Sequence, residues 1–463
     1  MANAIELRGK RVLVVGLART GVATALFCAA RGAQVTCTDT RLENEIADSV
    51  SRLRTAGVNL ELAGHPERLL LHQDLIIPSP GVPADTPFLR AARAKGITIW
   101  SEIELADRFL NGKLIGITGS NGKTTTSSLI EHVLRCAGFP TILAGNIGTP
   151  LISCVEKTND QTITVAELSS FQLELIESFR PNISVFLNLT PDHLDRHRTF
   201  EAYGSAKARI FENQIETDSA VLNADDAATA PLAPSRPHVY WFSRKQRVAQ
   251  GAFVRGSEIA FRHDGVEEAV LRLSDIPLAG GHNVENVLAA VVATRIAGAE
   301  PAAIAKGVRS FSGVEHRLEF VTEIGGVRYY NDSKATNVDA TLKALDAFPG
   351  RILIILGGKD KGSDYTVLQA PLRQKAILAL LIGAAAEKIE KQIAGSVAIE
   401  RAETIQRAVD TAAHAAQPGD IVILAPACAS FDQFQNFEHR GRVFKELVHQ
   451  LERQAANSTF GGR

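Results

Sequence analysis

Cysteine is scarce in this chain and arranged to no evident purpose. Cys28, Cys37, Cys136, Cys154 and Cys428 are odd in number and form no C-x-x-C pair. That excludes a disulfide framework and fits thiols kept reduced in the cytoplasm. Neither sign of charge is in excess, with 50 Lys and Arg against 51 Asp and Glu. A nucleic-acid footprint and a basic membrane surface are therefore not expected, which leaves small molecules as partners. Long apolar runs are missing too: Ala376–Gly383 falls well short of the roughly 20 residues a membrane helix needs. No basic-then-apolar leader precedes the strand-like Arg11–Gly16, so neither export nor membrane insertion is expected. There is no repeat of solenoid period, and Ser430 has neither a G-x-S-x-G elbow nor a Ser-His-Asp order around it, which disfavours a serine hydrolase.

What the chain has in quantity is short β-branched runs, each followed by a glycine-rich or polar turn and an alanine-rich amphipathic stretch. That is the rhythm of parallel α/β domains. At 463 residues, with about 100–200 per domain, three domains are expected. Strands are predicted near 12–15, 35–38 and 75–77, then near 114–118, 162–166, 184–187 and 220–223, and finally near 327–330, 352–356, 378–382 and 421–424. The divisions fall near Ser101–Glu104 and near Ser312–Val314, after a helix over 283–298, giving domains 1–101, 102–313 and 314–463. The tail 455–463 is expected to fray.

The most informative segment is Leu114–Thr126, where an apolar strand runs into Gly119-Ser-Asn-Gly-Lys-Thr-Thr125. Gly119 and Gly122 free the backbone to turn N–H groups of Ser120, Asn121 and their neighbours toward an anion. Lys123 offers a point charge for β- and γ-phosphates, and Thr124 a hydroxyl for Mg²⁺. The spacing departs from the common P-loop, whose first glycine would fall at Ile117, so an ordinary strand-turn-helix stays open beside ATP or GTP binding.

In an open parallel sheet the ligand crevice lies beyond the carboxyl ends of the strands. Here those ends carry Glu167-Leu-Ser-Ser-Phe-Gln-Leu-Glu174 and Asn188-Leu-Thr-Pro-Asp-His-Leu-Asp-Arg-His197. Glu167 is a natural oxygen ligand for Mg²⁺ and His193 a less usual one. Alone, each reads as an acid at a helix start and a hydrogen-bonded loop histidine. The turn Gly16-Leu-Ala-Arg-Thr-Gly21 has Ala18 where a dinucleotide fingerprint needs its second glycine, which disfavours NAD and FAD but leaves room for a diphosphate. Asp39-Thr-Arg41 then stands where an acid often meets a ribose or base edge, or is a solvated turn. The last third has three polar strand ends, Asn331–Asn337, Gly357–Asp364 and Pro426–Phe434, which together mark a second binding surface. Within it Cys428 reads as a small buried residue and not a nucleophile.

Taken in order, Thr118–Thr124, Asn146–Gly148, Glu167–Glu174, Asp192–Arg196, His282–Asn286, His316-Arg317, Asn331–Asn337 and Ala427–Phe437 resemble the Mur ligase family, essentially end to end. The resemblance implies a Rossmann-like first domain for the UDP group, a P-loop ATPase-like central domain and a Rossmann-like last domain that brings an amino acid. The implied activity joins D-glutamate to UDP-N-acetylmuramoyl-L-alanine with ATP, through an acyl phosphate, in peptidoglycan synthesis, in a cytoplasmic monomer. Position by position it implies Lys123 on the β- and γ-phosphates, Thr124 and Glu167 on one Mg²⁺, and His193 on a second or acting as a base. Lys207 matches the lysine that the family carbamylates, although by residue type alone it reads as an exposed helical lysine. Asn283, Asn286, Arg317 and Asp332 become adenine, ribose and phosphate contacts, and Asn146 touches the muramoyl substrate near its reacting carboxylate. Arg19, Thr20, Asp39, Thr40, Arg41, Ser79 and Gly81 become contacts of the UDP-sugar. Thr336, Lys334, Lys361, Ser430 and Phe437 become the D-glutamate pocket, with Lys359 an alternative to Lys361. No Asp-Asn-Pro-Arg of the diaminopimelate-adding relative is present, which favours D-glutamate. Other readings are a folylpolyglutamate-synthase-like ligase, a P-loop kinase or ATPase, a dehydrogenase and a silent binding protein. Alignment of three substrates also implies closure about a hinge near 312–314.

Overall fold

The computed structural model describes residues 5–146 and 148–460. Ile147, inside the Asn146–Gly148 motif, and residues 461–463 of the tail lie outside the described residues. The tail expected to fray from 455 instead continues the helix Phe437–Phe460.

Three sheets organise the chain. The first is wholly parallel, in the spatial order Asn59–Glu61, Gln34–Thr38, Arg11–Val15, Leu75–Pro78, Thr98–Ile99. Its central strands are near-continuous apolar runs because helices cover both faces. The second sheet has nine strands, with Lys113–Thr118 between Ile163–Glu167 and Ile183–Phe186, and Thr141–Gly145 at one edge. Beyond Ser219–Asn223 and His238–Ser243 it continues into an antiparallel meander, Gly251–Arg255, Glu258–His263 and Val266–Arg272. None of the meander strands is predicted from the sequence, because their apolar residues do not form one buried run. The third sheet runs Glu319–Ile324, Val327–Asn331, Ile421–Leu424, Ile352–Gly357, Ala376–Ile382, Ala398–Glu403, with the first pair antiparallel.

The contacts divide the chain into two compact units, 5–276 with 284–311 and 277–283 with 312–460. The first unit holds the first two sheets and the second unit holds the third. Among the described residues no helix is long and apolar enough to cross a membrane.

Register in the second sheet determines what meets at its carboxyl edge. Ile117 pairs with Glu167, and Thr118 with Phe186. The loops after all three strands therefore emerge side by side, as the open-sheet rule requires of a ligand site.

Candidate active site

The strand Lys113–Thr118 passes through Gly119 to Gly122, the N-cap of the helix Lys123–Cys136. Gly119 has φ +145° and Gly122 φ +84°, and a Cβ on Gly122 would lie 2.4 Å from Asn286 Oδ1. Only glycine combines that backbone with that space. Asn286 thus stands directly behind the loop, where it also accepts from Thr126 Oγ1 at 3.2 Å. Asn121 N–H donates to Asn188 Oδ1 at 2.9 Å, and Ser120 Oγ donates to the Thr190 carbonyl at 2.9 Å, so the loop is laced to the next strand end. Lys123 Nζ donates to the carbonyls of Gly119 at 2.7 Å and Ser120 at 2.9 Å. Its ammonium therefore curls over the rim of the cradle, and Thr125 is buried beside it in the first helical turn.

Opposite stands Glu167, 2% exposed at the end of its strand. Its Oε2 accepts from Thr124 Oγ1 at 2.9 Å and its Oε1 from Asn146 Nδ2 at 2.8 Å. A hydroxyl and a carboxylate in contact at the mouth of a phosphate-type loop are a hard-oxygen pair of the kind Mg²⁺ takes. Among the described residues no three of His, Cys, Asp and Glu converge as a metal cage. The pair suits an ion that takes most of its ligands from water and phosphate.

Lys207 overturns the reading from residue type alone. The helix Phe200–Ala208, capped by Thr199 Oγ1, turns this side chain inward until only 1% is exposed. Its Nζ donates to the same Gly119 carbonyl as Lys123, at 2.8 Å, and sits 4.7 Å from the Tyr203 ring centre. Burial and the Lys123 ammonium push its pKa well below the ordinary lysine range, against the pull of Asp192 and Glu167.

His193 is about half exposed and takes φ +52° as the N-cap of the single turn Leu194–His197, a strained conformation for a side-chain-bearing residue. Its ring meets Phe171 edge-on at 5.0 Å. The same short helix carries residues to which the sequence analysis gave no role. Arg196 pairs with Glu174 at 2.7 Å, lies over the Phe171 ring at 4.2 Å and donates to the carbonyls of Pro80 and Val82. His197 bonds Ser170 Oγ at 2.9 Å, and burial lowers its pKa. These residues tie the strand end that bears His193 to the first sheet, and only their spacing after Asp192-His193 could have pointed to them.

The turn Gly16–Thr20 is pinned by Asp39, whose carboxylate accepts from Leu17 N–H at 2.7 Å and Arg41 Nη2 at 2.7 Å. Desolvation raises the Asp39 pKa, but the Arg41 hydrogen bonds outweigh it and hold the group at about 2. Asp39 is thus spent on holding the turn. Ser79 Oγ donates to the Gly16 carbonyl at 2.7 Å. Together with Arg19, Thr20, Arg41, Gly81 and Asn146 these residues line a cavity of about 330 Å³, to which Gln172 also contributes. Thr40 is exposed and is not among its walls. Asn146, in the wall of this cavity, also donates to Glu167 and so links the cavity to the Thr124–Glu167 pair.

In the other unit, Asp332 is buried with its pKa raised to about 7 by desolvation, against the Leu318 N–H bond and the neighbouring Arg317. Asn283 donates to the Ala279 carbonyl at 2.6 Å. Lys334 lies 3.9 Å over the Phe437 ring, Thr336 follows on the same loop, and Ser430 is 2% exposed. Lys359 pairs through its backbone with Ala429, while Lys361 stands exposed. Cys428 is buried with its thiol raised to about 11, mainly by desolvation, which suits packing and not nucleophilic attack.

Compared with known proteins, the chain matches the Mur ligase MurD-like N-terminal domain over residues 10–101, the Mur ligase middle domain over 117–294 and the Mur ligase glutamate ligase domain over 316–428. It is 52% identical to a UDP-N-acetylmuramoylalanine--D-glutamate ligase of Koribacter versatilis, over 97% of this chain and 99% of that protein. It is 53% identical to the protein of the same name from Acidobacterium capsulatum, over 96% and 97%. Among solved structures, a MurF ligase of Thermotoga maritima in complex with ADP superposes with a TM-score of 0.60 at 16% identity, covering 97% of each chain, a likeness of fold.

Proposed function

We infer the activity from a premise: the chain belongs to the Mur ligase family, and within it we propose that it joins D-glutamate to UDP-N-acetylmuramoyl-L-alanine at the expense of ATP. The observation that carries this reading is that Asn146, in the wall of the cavity beside Gly16–Thr20, is hydrogen-bonded to Glu167, which in turn is bonded to Thr124 of the phosphate-type loop. A substrate anchored by its diphosphate at the first turn would present its far carboxylate beside the phosphate loop. Domains 1–101, 102–313 and 314–463 would then hold the UDP-sugar, ATP and the amino acid, in a cytoplasmic monomer.

A carboxylate and an ammonium do not condense, because oxide is a poor leaving group; transfer of the γ-phosphoryl group to the alanyl carboxylate provides a good one. Mg²⁺, held by Thr124 and Glu167, would neutralise phosphate charge when bound. The chain's own part is positioning and electrostatics. Lys123 would exchange its loop carbonyls for β- and γ-oxygens, Gly122 and Thr125 at the start of the helix Lys123–Cys136 would face the phosphates while the Ser120 and Asn121 N–H groups stay on Asn188, and Asn146 would orient the carboxylate. The amine of D-glutamate attacks the acyl phosphate carbon, phosphate leaves, and His193, exposed at the rim, takes the ammonium proton or binds a second ion. Asn283, Asn286, Arg317 and Asp332 serve the nucleotide. Arg19, Thr20, Arg41, Ser79 and Gly81 serve the UDP group, and Lys334, Thr336, Lys361, Ser430 and Phe437 serve the amino acid.

Lys207 is read as a carbamate. A neutral buried amine attacks CO₂, the new N–C bond forms, and one proton leaves to give an anionic oxygen ligand. The crowding of two ammonium groups on one carbonyl supports this, since it favours the neutral amine that the reaction needs. Closure about 312–314 would exclude water from the acyl phosphate.

The test is phosphate release from ATP and Mg²⁺ with UDP-N-acetylmuramoyl-L-alanine, comparing D-glutamate, L-glutamate, meso-diaminopimelate and no amino acid. Release that needs both the UDP-sugar and D-glutamate is expected, with one amide per phosphate. Turnover with a folate acceptor instead would overturn the reading.

A further inference from the structure

The segments assigned to the amino acid are far apart in the chain: Ser333–Thr336, Gly358–Lys361, Cys428–Ser430 and Phe437. They converge on one side chain that none of the motifs contains. Arg440, in the first turns of the helix Phe437–Phe460, has no exposed surface. Its Nε donates to Ser333 Oγ at 2.9 Å and its Nη2 to the Ser333 carbonyl at 2.8 Å. Both Nη atoms donate to the Cys428 carbonyl at 3.2 Å, and Nη1 also reaches the Ala429 carbonyl at 3.5 Å. Ser333 Oγ in turn donates to the Phe437 carbonyl at 2.8 Å. A Cβ on Gly358 would come within 3.2 Å of Nη1 and 2.3 Å of the Ala429 carbonyl, so the fourth segment also packs against the fork.

Two properties of this arrangement go beyond packing. Among the described residues no carboxylate lies within ion-pairing distance of Arg440, and its acceptors are neutral oxygens. Burial brings its pKa down only to about 10, with Cys428 and Asp432 opposing, so the group remains a cation at neutral pH. A planar fork hydrogen-bonded to two loops, with Gly358 of a third packed against it, sets a preorganised positive charge that forms no ion pair among the described residues behind the segments read as the amino-acid pocket.

We propose that Arg440 is the positioning residue of the amino-acid pocket, clamping Ser333, Cys428 and Ala429 so that the Lys334, Thr336, Ser430 and Phe437 positions form one surface, and that its charge favours a dicarboxylate ligand over a neutral one. The inference rests on the reading of these segments as the D-glutamate pocket.

The experiment is steady-state kinetics of the full chain with each substrate varied in turn, for Arg440→Lys and Ser333→Ala, beside thermal unfolding of each. Ser333→Ala removes one acceptor of the clamp without leaving a buried charge unpaired, so it reports even where the arginine variant does not fold. A KM for D-glutamate raised about tenfold in Arg440→Lys, and about threefold in Ser333→Ala, is expected, with KM for ATP and for the UDP-sugar unchanged. A D-glutamate KM unchanged in either folded variant, or all three KM values moving together, would overturn the proposal. Should the wild type prove to use a different amino acid, the reading of the pocket fails, while the same KM comparison with that amino acid still decides whether Arg440 organises it.

Discussion

Lys207 and Arg440 are both basic side chains with essentially no exposed surface, at 1% and 0%, and among the described residues neither is hydrogen-bonded to a carboxylate. Their surroundings push them to opposite ends of chemical behaviour. The Lys207 ammonium has three donors but, among the described residues, one hydrogen-bond acceptor, the Gly119 carbonyl, which it shares with a second ammonium. The Arg440 guanidinium makes five hydrogen bonds to Ser333, Cys428 and Ala429. What separates a reactive buried cation from a structural one is thus how many oxygens are preorganised to receive its protons. Burial by itself does not decide it.

The sharpest way to break this comparison is to replace each cation with methionine. Lys207→Met should lower turnover by roughly three orders of magnitude while leaving stability within about 1 kcal/mol of wild type, or raising it, because the removed charge was poorly received. Partial recovery of turnover in Lys207→Ala with a short carboxylic acid would support the carbamate; wild-type turnover in either variant would dispose of it. Arg440→Met should instead cost about 3 kcal/mol in urea unfolding, since it leaves several buried carbonyls unpaired. Equal stability changes in the two methionine variants would erase the distinction.

Glu167→Gln keeps the shape of the Thr124 and Asn146 contacts and removes the charge. Turnover should fall by about a hundredfold with the fold intact, measured at saturating Mg²⁺. A loss recovered completely by more Mg²⁺ would reduce the role of Glu167 to affinity for the ion.

The smallest effect concerns Asp39, a buried anion whose bonds are satisfied as those of Arg440 are. Its folded pKa, about 2, lies below that of an unfolded aspartate, about 3.9. As pH falls the unfolded chain takes up the proton first. The stabilisation is therefore complete above about pH 5 and lost as pH falls through about 2. The stability gap between wild type and Asp39→Asn should close across that window, and a gap independent of pH would show that the carboxylate charge contributes nothing to the turn.

Much of this was legible in the sequence. Strands such as Lys113–Thr118 and Ile352–Gly357 were visible because both faces are buried and every residue can be apolar. The cradle was visible because a sharp turn toward an anion needs Gly119 and Gly122 whatever surrounds it. The meander Gly251–Arg272 was not visible, since its exposed faces dilute the signal, with Val266 71% exposed and Phe253 0%. Arg440 was hidden for a different reason. In Phe437-Glu-His-Arg-Gly-Arg442 it looks like Arg442, yet Arg442 is exposed and Arg440 is not. Gly441 between them marks the spot only in retrospect, since a Cβ there would lie 2.2 Å from His316 Nδ1.

The sequence by itself determined the parallel α/β class, the phosphate-type loop and the set of polar strand ends, because each depends on residues adjacent in the chain and on backbone conformations that few residue types allow. Only the tertiary structure decided which basic side chains are buried, that Lys123 and Lys207 share one carbonyl, that Asp39 is spent on its own turn, and that Arg440 binds the Ser333 and Cys428-Ala429 loops together. Those outcomes depend on solvent exclusion and on oxygen atoms contributed by segments up to 107 residues apart, which no local pattern records.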